Sequence, residues 1–121
     1  MSFSVSLVAY RCCWSMNLTT LKDFVHIAAI LEGKLYQQQS ISCRIVSVDG
    51  KSVESASGLK LEVDGTLEDL EAPDLIVLPA MEGSAIDDGL EGEPELLSWL
   101  ATQRARGTAI LALSTGVEWL G

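Results

Sequence analysis

Thr108-Ala-Ile-Leu-Ala-Leu-Ser-Thr-Gly-Val-Glu-Trp-Leu120 is the stretch from which the fold can be read. Thr108 to Leu113 carries no charge, and so short an apolar run predicts a strand buried on both faces. Ser114-Thr115-Gly116 follows without a spacer, and Val117 to Leu120 begins a helical pattern. A strand that ends on a hydroxyl residue and turns straight into a helix has the plan of a nucleophile elbow. Such a turn lifts one side chain above the carboxyl end of a sheet, beside the positive end of the next helix. Gly116 would let that helix lie close to the strand. Ala112 stands where G-x-S-x-G has its first glycine, so a plain turn capped by Ser114 fits the same residues.

Upstream, Phe3 to Ala9 reads as a first strand and Tyr10 to Asn17 as a loop. From Leu18 to Tyr36, the residues Leu21, Phe24, Val25, Ala28, Leu31 and Leu35 recur at helical spacing, with Thr20 and Asp23 as a capping pair. Gln37 to Ser40 is a polar connection. Ile41 to Val48 is a strand, and Asp49-Gly50 a turn. Val53 and Leu59 to Val63 form a small hairpin around Ser57-Gly58. Thr66 and Asp69 cap one short helical turn, and Asp74 to Pro79 is a buried strand. Ala80 to Gly92 is acidic and loop-like, with room for one turn after Ser84. Pro94 suits the first position of a helix whose apolar face is Leu96, Leu97, Leu100 and Ala101, with Arg104 and Arg106 in its last turn and Gly107 ending it.

The chain has 121 residues, enough for one core. A hydrophobic content of 48% against 21% charged residues predicts a globular domain. The net charge of −9 argues against this segment gripping a phosphate backbone. No run approaches the roughly 18 apolar residues of a membrane span. The amino terminus lacks the basic region of a signal peptide. Three cysteines, two adjacent and none in a C-x-x-C pair, fit a reducing cytoplasm and neither a disulfide framework nor a zinc site.

Strands alternating with helices imply a mostly parallel sheet covered on both faces, with a ligand site beyond the strands' carboxyl ends. Tyr10 to Asn17, Pro79 to Gly83 and the Ser114 turn would meet there. Val48-Asp49-Gly50, Ser57-Gly58-Leu59-x-Leu61-x-Val63-Asp64, Leu67-x-Asp69-Leu70 and Asp74-Leu-Ile-Val-Leu-Pro79 come in an order that resembles the PfpI-like branch of the class I glutamine amidotransferase superfamily. Trp99-Leu100, Gly107-Thr-Ala-Ile110 and Ser114-Thr-Gly116 continue the match. The likeness is greatest to the amino-terminal domain of GlxA-type AraC-family transcriptional regulators. It implies a flavodoxin-like three-layer α/β/α sandwich that senses a small-molecule effector or mediates dimerisation. DNA would be bound only through a helix-turn-helix module absent from this chain. Where the three loops converge, an effector would meet Tyr10, Cys12, Trp14, Ala80, Met81, Ser114 and Thr115. No cofactor or metal is implied.

The departures from the family pattern bear on chemistry. Ser114 stands at the family's elbow cysteine, and a hydroxyl needs a base where a thiolate does not. His26 is the one histidine, and it lies within the first helix. Between Tyr10 and Asn17 there is no Asp or Glu to tune a nucleophile. Ala80 follows Pro79 where the family usually has glycine, narrowing the backbone open to an oxyanion hole. Amidase, protease or deglycase activity is therefore not expected; a degenerate hydrolase using Ser114 is the alternative. Cys12 and Cys13 could carry a thiol role or simply pack, and Cys43 reads as core. Glu82, Asp87, Asp88, Glu91, Glu93 and Glu95 lack calcium-loop spacing and read as a solvated rim. Gly121 falls about two turns into the helix after the elbow, so the domain is expected to be incomplete at its carboxyl end. One face of the Thr108–Leu113 strand would then lack cover, which predicts a self-associating chain.

Overall fold

The computed structural model describes residues 2–37, 40–69, 72–87 and 93–121. Seven strands and three α-helices follow in the order β1 (Phe3–Val8), α1 (Ser15–Tyr36), β2 (Ile41–Ser47), β3 (Val53–Glu54), β4 (Lys60–Leu61), β5 (Gly65–Thr66), β6 (Leu75–Leu78), α2 (Gly83–Asp87), α3 (Pro94–Ala105) and β7 (Ala109–Ala112). Among the described residues they are joined by two 3-10 helices, Leu67–Asp69 and Ser114–Leu120. Five strands form one parallel sheet in the order β5-β2-β1-β6-β7, and β3 and β4 form a separate antiparallel hairpin. The crossovers from β1 to β2 and from β6 to β7 run in opposite directions. Right-handed connections therefore put α1 and α3 on opposite faces, giving three layers. The order reverses between β1 and β6, and that is the topological switch point.

The core lies along the two central strands. Leu7, Val8, Ile76 and Leu78 are fully enclosed, joined by Leu18 from α1 and Leu96 and Leu100 from α3. Each such side chain contributes about 1.5–3 kcal/mol of burial. The hairpin forms where its glycine predicts it. Gly58 takes φ +85, its N–H donates to the Ser55 carbonyl at 3.0 Å, and Ser55 N–H donates to the Leu59 carbonyl at 2.8 Å. The Thr66–Asp69 cap also forms, Asp69 accepting from the Thr66 N–H at 3.0 Å and from its hydroxyl at 2.9 Å. β5, just ahead of it, has only two residues and no hydrophobic pattern to reveal it.

Three expectations are corrected. Helix α1 begins at Ser15 rather than Leu18, which leaves Thr20 and Asp23 exposed inside it. The Trp14 N–H donates to the Ala80 carbonyl at 2.9 Å, so a contact across the sheet sets where the helix starts. The apolar face of α1 is also split: Leu18 is buried and Leu21 and Val25 half-buried, whereas Phe24 is 67% exposed and Leu35 70%, with Ile27 and Leu31 between them. Finally, β7 is not enclosed on both faces. It is the last strand of the sheet, with Ala109 and Leu111 exposed and Ile110 and Ala112 half-buried. Met1, Gln38, Gln39, Leu70, Glu71 and Asp88–Gly92 lie outside the described residues.

Phe24, Ile27, Leu31 and Leu35 share one stripe of α1, and apolar patches of that kind mark interaction surfaces. Sedimentation velocity over a concentration series should therefore show self-association of the isolated chain. Phe24→Glu combined with Leu35→Glu should suppress it without changing the far-ultraviolet helix signal. A wild-type monomer at every concentration would mean that solvent tolerates the stripe.

Candidate functional site

Two loops meet at the switch point and are stitched together. Cys13 and Met81 form an antiparallel bridge, and the Glu82 N–H donates to the Cys12 carbonyl at 2.9 Å. The Tyr10 hydroxyl donates to the Pro79 carbonyl. Tyr10 is buried with its ring edge-on to Trp119 at 5.0 Å, and burial pushes its phenol well above the ordinary range. Cys12 is half-buried at φ +70, while Cys13 is fully enclosed, and burial raises its thiol. A buried neutral thiol is a packing group rather than a nucleophile. Trp14 caps α1 through its backbone and leaves its indole 40% exposed. Cys43 is half-buried against the core.

Beyond β6 the backbone donors are consumed internally. The Ala80 N–H donates to Asn17 Oδ1 at 3.0 Å. The Thr115 hydroxyl accepts from the Met81 N–H at 2.8 Å and donates to the Met81 carbonyl at 3.0 Å. A ligand's polar atoms could make the same bonds, so Asn17 and Thr115 fill the crevice as a ligand would. Asn17 carried no sequence signal, because its partner lies 63 residues away.

Ser114 opens the final 3-10 helix with φ +49, is exposed, and does not serve as the cap, a position held by Leu113. A left-handed backbone at a serine costs of order 1–3 kcal/mol and recurs where a turn presents a side chain. Gly116 shows what holds the turn: a Cβ there would lie 2.6 Å from both the Leu78 and Pro79 carbonyl oxygens. The helix that follows is a seven-residue 3-10 segment, so the expected α-helical amino terminus beside Ser114 does not form. His26 is exposed on α1 beside Ile41–Cys43, where β2 begins, at the opposite end of the sheet from Ser114. Among the described residues no three His, Cys, Asp or Glu side chains converge to hold a metal ion.

An open cavity lies next to the closed crevice. It measures about 380 Å³, between the carboxyl ends of β1 and β2, bounded by the β3 segment and the start of α3. Glu93 lines it and is half-buried, not a solvated rim residue; burial raises its carboxyl, Glu95 and Asp49 raise it further, and Arg11 pulls it back. Nothing in the local sequence marks this grouping, since Arg11, Asp49 and Glu93 are about 40 residues apart in turn.

No protein-family model matches the sequence, and no curated protein sequence matches it. Solved structures do. An AraC family transcriptional regulator from Pseudomonas putida superposes with a TM-score of 0.71 at 26% identity, over 98% of this chain and 69% of that one. A ThiJ/PfpI family protein from Pseudomonas syringae gives 0.73 at 15% identity, over 99% and 45%. Drosophila melanogaster DJ-1beta gives 0.67 at 17% identity, over 99% and 59%. The chain thus spans between 45% and 69% of the length of these structures.

Gly116→Ala should destabilise the chain by about 1–3 kcal/mol, because backbone carbonyls cannot yield to the added methyl; urea denaturation measures it, and an unchanged midpoint would mean that the approach is looser than described. Glu93 supplies a pH test. Its carboxyl is raised in the fold, so its contribution to stability is full below the ordinary glutamate range and is lost as pH rises through the folded value. Glu93→Gln should therefore raise the melting midpoint at pH 7 and leave it nearly unchanged at pH 4.

Proposed function

We propose that this chain, whose fold is that of the DJ-1/ThiJ/PfpI proteins, is a non-catalytic ligand-sensing or dimerisation domain of an AraC-family-type transcriptional regulator. Its partners are a small-molecule effector and a second copy of itself, and DNA is reached through a helix-turn-helix module outside these 121 residues. One observation carries the non-catalytic part. The Ala80 and Met81 N–H groups, which would face a developing oxyanion, are already bonded to Asn17 and Thr115. Ser114 also has no imidazole on its side of the sheet. The regulator part is supported by the 26% identity to the Pseudomonas putida protein. A charge of −9 leaves DNA contact to another module. Three free cysteines support a reducing, cytoplasmic setting.

The second reading, a degenerate hydrolase, is favoured by one fact: Ser114 is exposed on a left-handed turn, as an elbow nucleophile would be. A fluorophosphonate probe separates the two. No labelling of Ser114, with no ester or amide turnover above a Ser114→Ala control, is the expected result. Labelling abolished by Ser114→Ala would establish the hydrolase instead. The regulator reading is tested by joining the chain to a helix-turn-helix module that occupies its operator only as a dimer. Operator occupancy should rise above that of the module alone, and equal occupancy would refute it.

A further inference from the structure

We infer that this chain's ligand site is the cavity between the carboxyl ends of β1 and β2, not the crevice at Ser114, and that it takes a compact organic cation bearing an ammonium or guanidinium group. The inference rests on the sensing role proposed above and adds a location and a ligand class to it. Location follows from what is closed and what is open. At the switch point, Asn17 and Thr115 already occupy the backbone groups of Ala80 and Met81. One strand over, the cavity of about 380 Å³ falls within the size range of small-molecule sites. Its walls are preformed. Ser47 Oγ donates to the Lys51 carbonyl at 2.9 Å, and the Lys51 N–H donates to Asp49 Oδ1 at 3.0 Å, which fixes the turn after β2. The Cys12 N–H donates to the Glu54 carbonyl at 3.2 Å, tying the β3 wall to the end of β1.

Ligand class follows from charge. Among the described residues, Asp49, Glu54, Glu93 and Glu95 line the cavity against one cation, Arg11. The amino terminus of α3 adds about half a positive charge at this rim, which still leaves the lining strongly negative. An anion is disfavoured here. A bare metal ion is disfavoured as well, because no three of the described acidic groups converge on one point. Carboxylates spread around a cavity that Val48 and Val53 also line suit a cation with a carbon frame, whose charge the carboxylates meet and whose body lies on apolar surface. The raised Glu93 carboxyl agrees with this, since a bound cation would relieve the repulsion from Glu95 and Asp49.

The test is calorimetric titration of the full chain at 150 mM salt with 1,4-diaminobutane and with agmatine, using succinate as the dianion of similar length. Saturable binding of at least one cationic probe is expected, with no heat from succinate. Glu93→Gln with Glu95→Gln should weaken binding at least tenfold, Arg11→Gln should tighten it several-fold, and Ser114→Ala should leave it unchanged. Opposite signs from the two rim variants cannot come from a folding defect. Equal binding of succinate, indifference to the rim substitutions, or displacement of the diamine by equimolar magnesium would overturn the inference. So would the absence of binding by both cationic probes, while operator occupancy in the joined module would still report on the regulator reading independently.

Discussion

The backbone of β1 is paired with β2 along Phe3–Val8 and with β6 along Val5–Leu7, so that Leu7 lies opposite both Ile45 and Val77. Parallel partners on both sides require a crossover on each, and right-handedness sends the two crossovers to opposite faces. Helix α1 must then cover one face and α3 the other. The residues just after Val8 and Leu78 are brought side by side at one end of the sheet. Leu7 and Val8 have no exposed surface, so neither layer can be shifted without opening the core. Every feature discussed as a site lies at that end because β1 lies in the middle.

What occupies the switch point is the protein itself. A crevice between reversing strands is where α/β sheets present ligands, and its backbone donors are the groups that would bind one. Here one asparagine and one threonine answer those donors, and the Cys13–Met81 bridge closes the loops over them. The left-handed Ser114 survives above this closure because Gly116 lets the final helix lie against the carbonyls of Leu78 and Pro79. The geometry of an elbow and the closure of the backbone donors beneath it therefore coexist without conflict. The turn is held by packing, whereas catalysis would need free donors and a base.

The acidic balance is likewise unevenly used. Asp64 and Asp69 are spent on structure: Asp64 accepts from Lys22 Nζ at 2.6 Å and from the Ile45 N–H at 2.8 Å, and Asp69 accepts from Arg44 at 3.0 Å. Burial opposes ionisation of Asp64, but its bonds from Lys22 and the Ile45 N–H hold its carboxyl low, and the Thr66 N–H and hydroxyl, with Arg44 after them, lower that of Asp69. Glu93 is the opposite case, half-buried among like charges with only Arg11 opposing them, and its carboxyl rises. One group stabilises the sheet edge by being charged, and the other strains its cavity by being charged.

Local pattern was enough for the order of elements apart from β5, the parallel sheet, the hairpin at Gly58, the stop at Gly107 and the turn at Ser114. Each depends on residues within a few positions of one another, where period, propensity and φ preference act directly. Tertiary contact decided the rest. Trp14 meeting Ala80 moved the start of α1, the sheet edge left β7 half-covered, and of the α1 apolar pattern Leu18 and Leu21 found the core. Asn17 and Thr115 became a latch, and Arg11, Asp49 and Glu93 became one cavity rim, through partners 34 to 63 residues away for the latch and across three separate elements for the rim. Spacing along a chain reports which side chains share a face; it carries no record of which distant backbone group that face will meet.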